Sequence, residues 1–265
     1  MSGWTEGELD RALDLGVAIA REAGLLTLHT YRAGPEVRFK RTDVDLVTQT
    51  DLDSEALIAR RLAQHFPDHG LIAEEGTDRG GPESTALWIV DPLDGTVNFA
   101  HGHPFYCVSM ALQLDGEVVV GVVHAPVLGL TWTARRGGGA FRNGAPSKVT
   151  ATTTLDRSLC ASGFPYDRRT AADNNLAEWS ALTRRAQAVR RCGAAAIDLA
   201  MVADGTYDGY WEKRLKPWDV AAGSLIIEEA GGRVTAVDGT AVPPWPEVIV
   251  ATNGLIHDEM LEALR

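Results

Sequence analysis

Short apolar runs separated by polar turns dominate this chain, and the period of the runs changes along it. Leu9, Leu13, Val17 and Ala20 recur at helical spacing, and Thr5 with Glu8 has the pattern of a capping box, so a first helix is predicted to run to about Leu28. Gly34-Pro35 breaks it; Val37 to Phe39 reads as an edge strand and Leu46 to Thr48 as a short β-prone segment. Thr50 with Asp53 marks a second helix start, and Ala56, Ala59, Leu62, Ala63 and Phe66 supply its buried face.

Strand-like runs then take over. Leu71 to Ala73 and Trp88 to Val90 are short and wholly apolar, as buried strands are. Tyr106 to Leu114 and Glu117 to His124 form a hairpin across Asp115-Gly116, and Leu130 to Ala134 pairs with Ala140 to Arg142 across a glycine-rich turn, before Asn143-Gly144 turns the chain again. Beyond residue 150 the elements alternate. Strands are predicted at Leu159 to Ser162, Ala188-Val189, Gly209 to Glu212, Val234 to Val237 and Val248 to Ala251. Helices are predicted at Ala172 to Arg185, Gly193 to Ala203, Lys216 to Ala230 and Ile256 to Leu264. Alternation of this kind points to layered α/β packing. No repeat or linker interrupts it, so one domain over 1–265 is expected, with an N-terminal half of about 1–150 and a C-terminal half of about 151–265.

Composition narrows the function classes. No apolar run is long enough to span a bilayer, and the acidic, polar first ten residues lack the pattern of a secretory signal. Cys107, Cys160 and Cys192 are an odd set without close spacing, which argues against a disulfide framework or a zinc site and for buried free thiols in a reducing, cytoplasmic setting. His65, His69, His101 and His103 lie on turns without ligand spacing and are expected to face solvent. A net charge of −11 opposes non-specific nucleic-acid binding and leaves an anionic substrate to be attracted by local cations.

The chemistry concentrates where the Trp88 to Val90 strand delivers Asp91-Pro92-Leu93-Asp94-Gly95-Thr96. Pro92 has no N–H for a sheet ladder, so the chain turns there with two carboxylates three residues apart. Converging carboxylates repel and lose hydration; a hard divalent cation such as Mg²⁺ offsets this, and the amides of Gly95 and Thr96 suit a phosphate oxygen. Glu74 closes another buried strand, and Asp51 and Asp219 each sit in a first helical turn. Taken singly these acids have ordinary roles as turn, cap or helix-dipole residues. Taken together they form a set at equivalent places in a layered fold.

Four segments carry a resemblance over nearly the whole chain: Asp45 to Asp51 (DLVTQTD), Glu74-Glu75, Trp88 to Phe99 (WIVDPLDGTVNF) and Lys216 to Gly223 (KPWDVAAG). In this order they resemble the inositol monophosphatase family, within the magnesium-dependent, lithium-sensitive phosphatase superfamily. The resemblance implies an αβαβα sandwich of the inositol monophosphatase and fructose-1,6-bisphosphatase type. It implies two or three Mg²⁺ per site, with Mn²⁺ as a substitute, held by Glu74, Asp91, the Leu93 carbonyl, Asp94 and Asp219. Asp51, Glu74 and Thr96 would position and deprotonate the attacking water. Leu93, Asp94, Gly95, Thr96 and Asp219 would contact the phosphate end of the substrate, Gly193, Ala194, Ala195 and Glu212 its alcohol, and Lys40 would belong to a basic loop nearby. It also implies a homodimer.

The implied reaction is hydrolysis of myo-inositol 1-phosphate, or a closely related small phosphate monoester, by metal-activated water. Histidinol phosphate, fructose 1,6-bisphosphate and 3′-phosphoadenosine 5′-phosphate are alternatives. A protein-binding role at the transcription machinery is the alternative outside catalysis. Neither a nucleic-acid nor a membrane partner is expected. Arg214 stands where relatives often carry glycine, Lys213 and Lys216 make its loop basic, and Gly76 stands where serine is frequent; these departures bear on the alcohol side of the site.

Overall fold

The structure is a computed structural model that describes residues 4–34, 37–39, 46–81, 84–242 and 248–265. The first helix, α1 (Glu6–Ala33), starts from the expected capping box: the Thr5 N–H donates to Glu8 at 2.7 Å and the Glu8 N–H returns to Thr5 Oγ1 at 3.3 Å. It runs past Leu28 and stops only at Gly34, whose φ of 87° a helix cannot continue. Strands β1 (Val37–Phe39) and β2 (Leu46–Thr48) pair antiparallel.

Helix α2 (Gln49–His65) departs from the expected start. Its cap is Thr48, and Asp51, three residues on, returns a carboxylate oxygen to the Thr48 N–H at 2.9 Å. The shift turns the helix: Ala56 and Ala63 are exposed, and the buried face reads Thr50, Asp51, Ser54, Glu55, Ile58 and Leu62. Ile58 and Leu62 pack into the core, and the polar positions nearer the N-terminus point toward the end of the neighbouring sheet.

Among the described residues, seven strands form the first sheet: β3 (Gly70–Ala73), β4 (Ala86–Asp94), β5 (Cys107–Leu114), β6 (Glu117–Ala125), β7 (Leu130–Arg135), β8 (Gly139–Arg142) and β9 (Ala145–Ser147). They lie in sequence order, with β3 and β4 parallel and the remaining pairs antiparallel. The predicted hairpin turns occur, with left-handed backbone at Asp115-Gly116 and Asn143-Gly144. Helix α3 (Thr96–Ala100) follows β4 directly.

Five strands form the second sheet, in the order β11 (Ala188–Arg190), β10 (Leu159–Ser162), β12 (Gly209–Lys213), β14 (Val248–Thr252), β13 (Arg233–Ala236). Helix α4 (Leu176–Arg185) begins four residues later than predicted, because Asn175 is left-handed, with φ 65°, and spends its buried side chain on Trp211 Nε1, Ser162 and the Gly163 carbonyl. Helix α5 (Ala195–Ala203) starts after Gly193, whose φ is +90°. Helix α6 (Pro217–Glu229) has proline in its first turn, and α7 (His257–Leu264) ends the chain.

The layers are α1 and α2, the seven-stranded sheet, α5 and α6, the five-stranded sheet, and α4 with α7. This is the expected αβαβα order. The middle helix layer is thin because its contact positions are small. A Cβ on Gly121 of β6 would lie 2.8 Å from the Ala222 carbonyl of α6, and one on Gly223 would lie 2.6 Å from the Leu199 side chain of α5.

Two histidines differ from expectation. His65 ends α2 partly buried; His69 is partly buried, accepts the Trp88 Nε1–H at 3.2 Å and stacks on Phe66. His101 and His103 are exposed as predicted. Cys107 and Cys160 are buried free thiols and Cys192 is partly buried.

Gly121→Ala is expected to lower stability by about 1–3 kcal/mol, the usual cost of forcing atoms into a filled interior. Gly7→Ala, with nothing within 4 Å of the new methyl, should be neutral or stabilising by up to about 1 kcal/mol. Urea midpoints at constant slope measure both. Equal effects at the two glycines would contradict the close approach of α6 to β6.

Candidate functional site

The site is built at the carboxyl end of β4. The ladder to β5 pairs Asp91 with Ser109 and then slips, resuming with Asp94 opposite Cys107, so the strand continues past the predicted Val90 but bulges at Pro92. The bulge leaves Asp91 and Asp94 almost fully buried. Asp91 Oδ1 accepts the Leu93 N–H at 2.9 Å, and Asp94 Oδ2 accepts the Ala196 N–H at 2.7 Å from the first turn of α5. Asp219, in the first turn of α6, accepts the Lys216 N–H at 2.6 Å. Glu74 follows β3, its own N–H held by the Val90 carbonyl at 3.3 Å.

These acids share one electrostatic field. Burial, then the charges of Glu74, Asp94 and Asp219, hold the Asp91 carboxyl well above the usual carboxylate range. Asp94 is pushed up to about 7 by burial, against the pull of the Ala196 amide, with Glu74 and Glu212 adding to the rise. Asp219 is raised to about 8, again by burial first and then by the charge of Asp94. Among the described residues no three ligand-type side chains are closed into a metal cage. The fit of a cation rests instead on donor chemistry: oxygen donors only, with a shared excess of negative charge, suit Mg²⁺ or Mn²⁺ better than zinc.

Beside the acids lies a second constellation. Thr96 opens α3 and directs its hydroxyl at Asp51 Oδ1, 3.0 Å away, and at the Leu93 carbonyl, 3.2 Å away. The other Asp51 oxygen holds the N–H and hydroxyl of Thr48. Asp51 is thus both the helix-terminus residue that the sequence suggested and the partner of Thr96. Gly95 is left-handed at φ 95°, and a Cβ there would come within 3.0 Å of the Phe105 carbonyl.

Asn98 joins this segment to the second half of the chain. Its amide donates to the carbonyls of Phe105 at 2.7 Å, Cys192 at 2.9 Å and Gly193 at 3.3 Å. With the Asp94–Ala196 bond, it draws Gly193, Ala194 and Ala195 to the carboxylates.

Glu212 ends the same side of β12. It accepts the Tyr210 hydroxyl and backs onto Gly163, where any Cβ would collide with the carboxylate. Burial raises it to about 7, outweighing the Tyr210 bond and the charge of Arg191. Its basic neighbours are answered: Lys213 pairs with Glu178 at 2.6 Å and with Asp173, and Arg214 pairs with Asp167. Arg214 keeps a left-handed φ of 60°, the conformation that a glycine would adopt at that position.

The structure therefore brings together every predicted site residue except Lys40, which lies outside the described residues. Four participants were not anticipated. Ser54 donates to the Pro92 carbonyl at 2.9 Å, and Glu55 binds the turn after Glu74. Asn98 lies inside the recognised motif but received no role. Tyr166 leaves half its surface exposed, and desolvation, then the charges of Glu74, Asp219, Asp94 and Asp91, keep the proton on its phenol. Ser54 and Glu55 follow Asp51 by three and four residues, a helical stripe that a correct helix start would have exposed.

Comparison with known proteins gives a concordant result. A profile described as the inositol monophosphatase family matches residues 8–265. An inositol-1-monophosphatase of Synechocystis is 40% identical over 98% of this chain and 91% of its own length. A fructose-1,6-bisphosphatase/inositol-1-monophosphatase of Thermotoga maritima is 37% identical over 97% and 96%. The solved inositol monophosphatase of Anabaena superposes with a TM-score of 0.88 at 42% identity, covering 97% of this chain and 96% of that one. An IMPase/NADP phosphatase solved with Mg²⁺ and phosphate superposes at 0.85 with 27% identity, covering 97% and 96%.

The raised carboxyls make a signed prediction. In EDTA the folded chain keeps protons on Asp91, Asp94 and Asp219 that the unfolded chain sheds near its ordinary value of 3.8. Folded-state stability should therefore fall as pH rises from about 4 to about 8. A divalent cation that binds the ionised carboxylates should raise the thermal midpoint more at the upper end of that window than at the lower, and added Mg²⁺ tests this. Midpoints in EDTA that stay flat in both the parent and Asp94→Asn would show that these acids share no such field.

Proposed function

This chain belongs to the inositol monophosphatase family and is a phosphoric monoester hydrolase; from that premise we propose that it is a Mg²⁺-dependent phosphatase of myo-inositol 1-phosphate. The observation that carries the proposal is the shared field of Glu74, Asp91, Asp94 and Asp219, the two central acids buried and the outer two half-buried, beside the Asp51–Thr96 pair. Bound divalent cations would neutralise the phosphate dianion and acidify a water, as paired metals do in phosphatases. Glu74, Asp91, the Leu93 carbonyl, Asp94 and Asp219 are the proposed ligands.

The remaining work falls to this chain's own groups. Thr96 Oγ1 donates its hydrogen bond to Asp51 Oδ1, which leaves its lone pairs available to accept from an attacking water. Asp51 is the eventual proton acceptor, and Thr48 fixes its orientation through two bonds to the other oxygen. Glu74 helps to orient the same water. Attack in line with the ester forms a new P–O bond as the ester P–O bond breaks, and the departing oxygen takes a proton from solvent water, giving inorganic phosphate and the alcohol with no phosphorylated enzyme. The Gly95 and Thr96 amides face phosphate oxygens, and the segment from Gly193 to Ala195 with Glu212 reads the alcohol.

A neutral polyol suits this alcohol side better than a second phosphate. Glu212 is an acceptor for ring hydroxyls, and the two cations that follow it in sequence, Lys213 and Arg214, are already committed to carboxylates, which leaves Arg191 as the cation whose charge acts on Glu212. The three unpaired cysteines suit a reducing, cytoplasmic setting, and assembly as a homodimer rests on the family resemblance.

Phosphate release from myo-inositol 1-phosphate, histidinol phosphate, fructose 1,6-bisphosphate and 3′-phosphoadenosine 5′-phosphate, with and without Mg²⁺, tests this reading. The inositol ester is expected to lead in kcat/KM by about a hundredfold, or about 2.7 kcal/mol of discrimination. Asp91→Asn should lower kcat/KM by about a hundredfold or more, since even outer-shell changes at metal sites cost about 10–100-fold. Comparable low rates on all four esters would sink the inositol assignment; full activity of Asp91→Asn would sink the metal site.

A further inference from the structure

Glu55 is nine-tenths and more buried, with only 2% of its surface exposed, yet it meets no cation among the hydrogen bonds and ion pairs of the described residues. Its carboxylate is used entirely on backbone. Oε2 accepts the Glu75 N–H at 2.7 Å, and Oε1 accepts the Thr77 N–H at 2.8 Å. Those amides flank Gly76, left-handed at φ 94°, in the tight turn that begins immediately after Glu74. The turn is closed again by the Gly76 N–H on the Ala73 carbonyl and by Asp78 on the Ala73 N–H.

A buried carboxylate close to further acids is a poor choice for stability alone. Taking the charge out of water costs several kcal/mol before any attraction is counted, and an apolar side chain would fill the same space without that cost. The two charge-assisted bonds offset the cost by fixing one short stretch of backbone. That stretch carries Glu74, whose own N–H is fixed to Val90 on the other side. Glu74 is therefore held at both flanks, by β4 before it and by α2 after it. Ser54 and Asp51, on the same face of α2, hold the Pro92 carbonyl and Thr96 in parallel fashion.

We infer that Glu55 is a positioning residue: it holds the turn after β3 so that the Glu74 carboxylate is presented to the cation that Asp91 shares. This rests on the reading of Glu74 as a metal ligand given above. The role is distinct from that of Asp51, because Glu55 touches neither substrate nor reacting atoms and acts only through the backbone of Glu75 and Thr77.

Mn²⁺ binding to the full chain, followed by electron paramagnetic resonance, reads this role without turnover. Glu55→Ala is expected to weaken Mn²⁺ binding by about 10–100-fold, and activity should recover as Mg²⁺ is raised. Glu55→Gln keeps one acceptor but turns an amide NH₂ toward the second N–H, so it should fall between parent and alanine. If Glu55→Ala does not fold, Glu55→Gln carries the same test. Unchanged Mn²⁺ affinity with a lowered thermal midpoint in EDTA would overturn the inference, leaving Glu55 a structural residue only. Glu74→Gln separates the two readings. If it binds Mn²⁺ like the parent, the ligand reading of Glu74 fails. If it loses affinity while the Glu55 variants do not, only the positioning role fails.

Discussion

Like charges held together out of water are the constraint around which this molecule is arranged. Asp91 and Asp94 are nearly sealed from solvent, and Glu74 and Asp219 add to the same field. In the dry interior, unpaired carboxylates would neutralise themselves or unfold the site. Without a cation Asp91, Asp94 and Asp219 hold their protons above the ordinary range, and each is fixed in place by one backbone N–H, that of Leu93, Ala196 or Lys216. Two of these amides belong to the beginnings of α5 and α6, where helix dipoles favour negative charge. The amides steady the acids without supplying a counter-charge. The negative charge that ionisation would create there is the chemical case for a divalent cation.

Helix α2 meets the same constraint from the other face of the sheet. Its stripe Asp51, Ser54 and Glu55 is buried where an ordinary amphipathic helix would bury apolar side chains. Each of the three spends its hydrogen bonds on a different part of the site: Thr96, the Pro92 carbonyl, and the turn after Glu74. The helix is anchored deeper in the core by Ile58 and Leu62. One end of α2 therefore serves packing and the other serves the site.

This division explains what the sequence made legible. Asp91, Asp94 and Thr96 could be read because their geometry is local: a proline that interrupts a ladder, then a left-handed glycine that starts a helix. Most element positions followed from hydrophobic period and turn chemistry. The start of α2 was missed by two residues because Thr50-Asp53 and Thr48-Asp51 offer the same capping pattern, and only burial distinguishes them. Glu55 was illegible because its partners lie 20 and 22 residues away and are backbone amides, which carry no residue-type signal. Tyr166 reaches the acids from a loop of the other sheet, and no period connects it to them. The partners of Lys213 and Arg214 in the basic loop after Glu212 were not legible for a related reason: Asp167, Asp173 and Glu178 lie 35 to 47 residues away in sequence.

The thin middle layer follows from the same demand. For the Ala196 amide to reach Asp94 at 2.7 Å, α5 must start almost on top of the β4 bulge. For Asp219 to join the same field, α6 must lie flat on the first sheet and against α5 together. Both are possible only if the contact residues are small, and Gly121, Ala222 and Gly223 are. A larger residue at any of them would separate the layers by a fraction of an ångström or more. Charge-assisted bonds weaken steeply with such a displacement, whereas apolar packing would tolerate part of it. The glycine and alanine content of the middle layer is thus set less by the core than by the carboxylates at its edge, and packing and electrostatics here are one requirement.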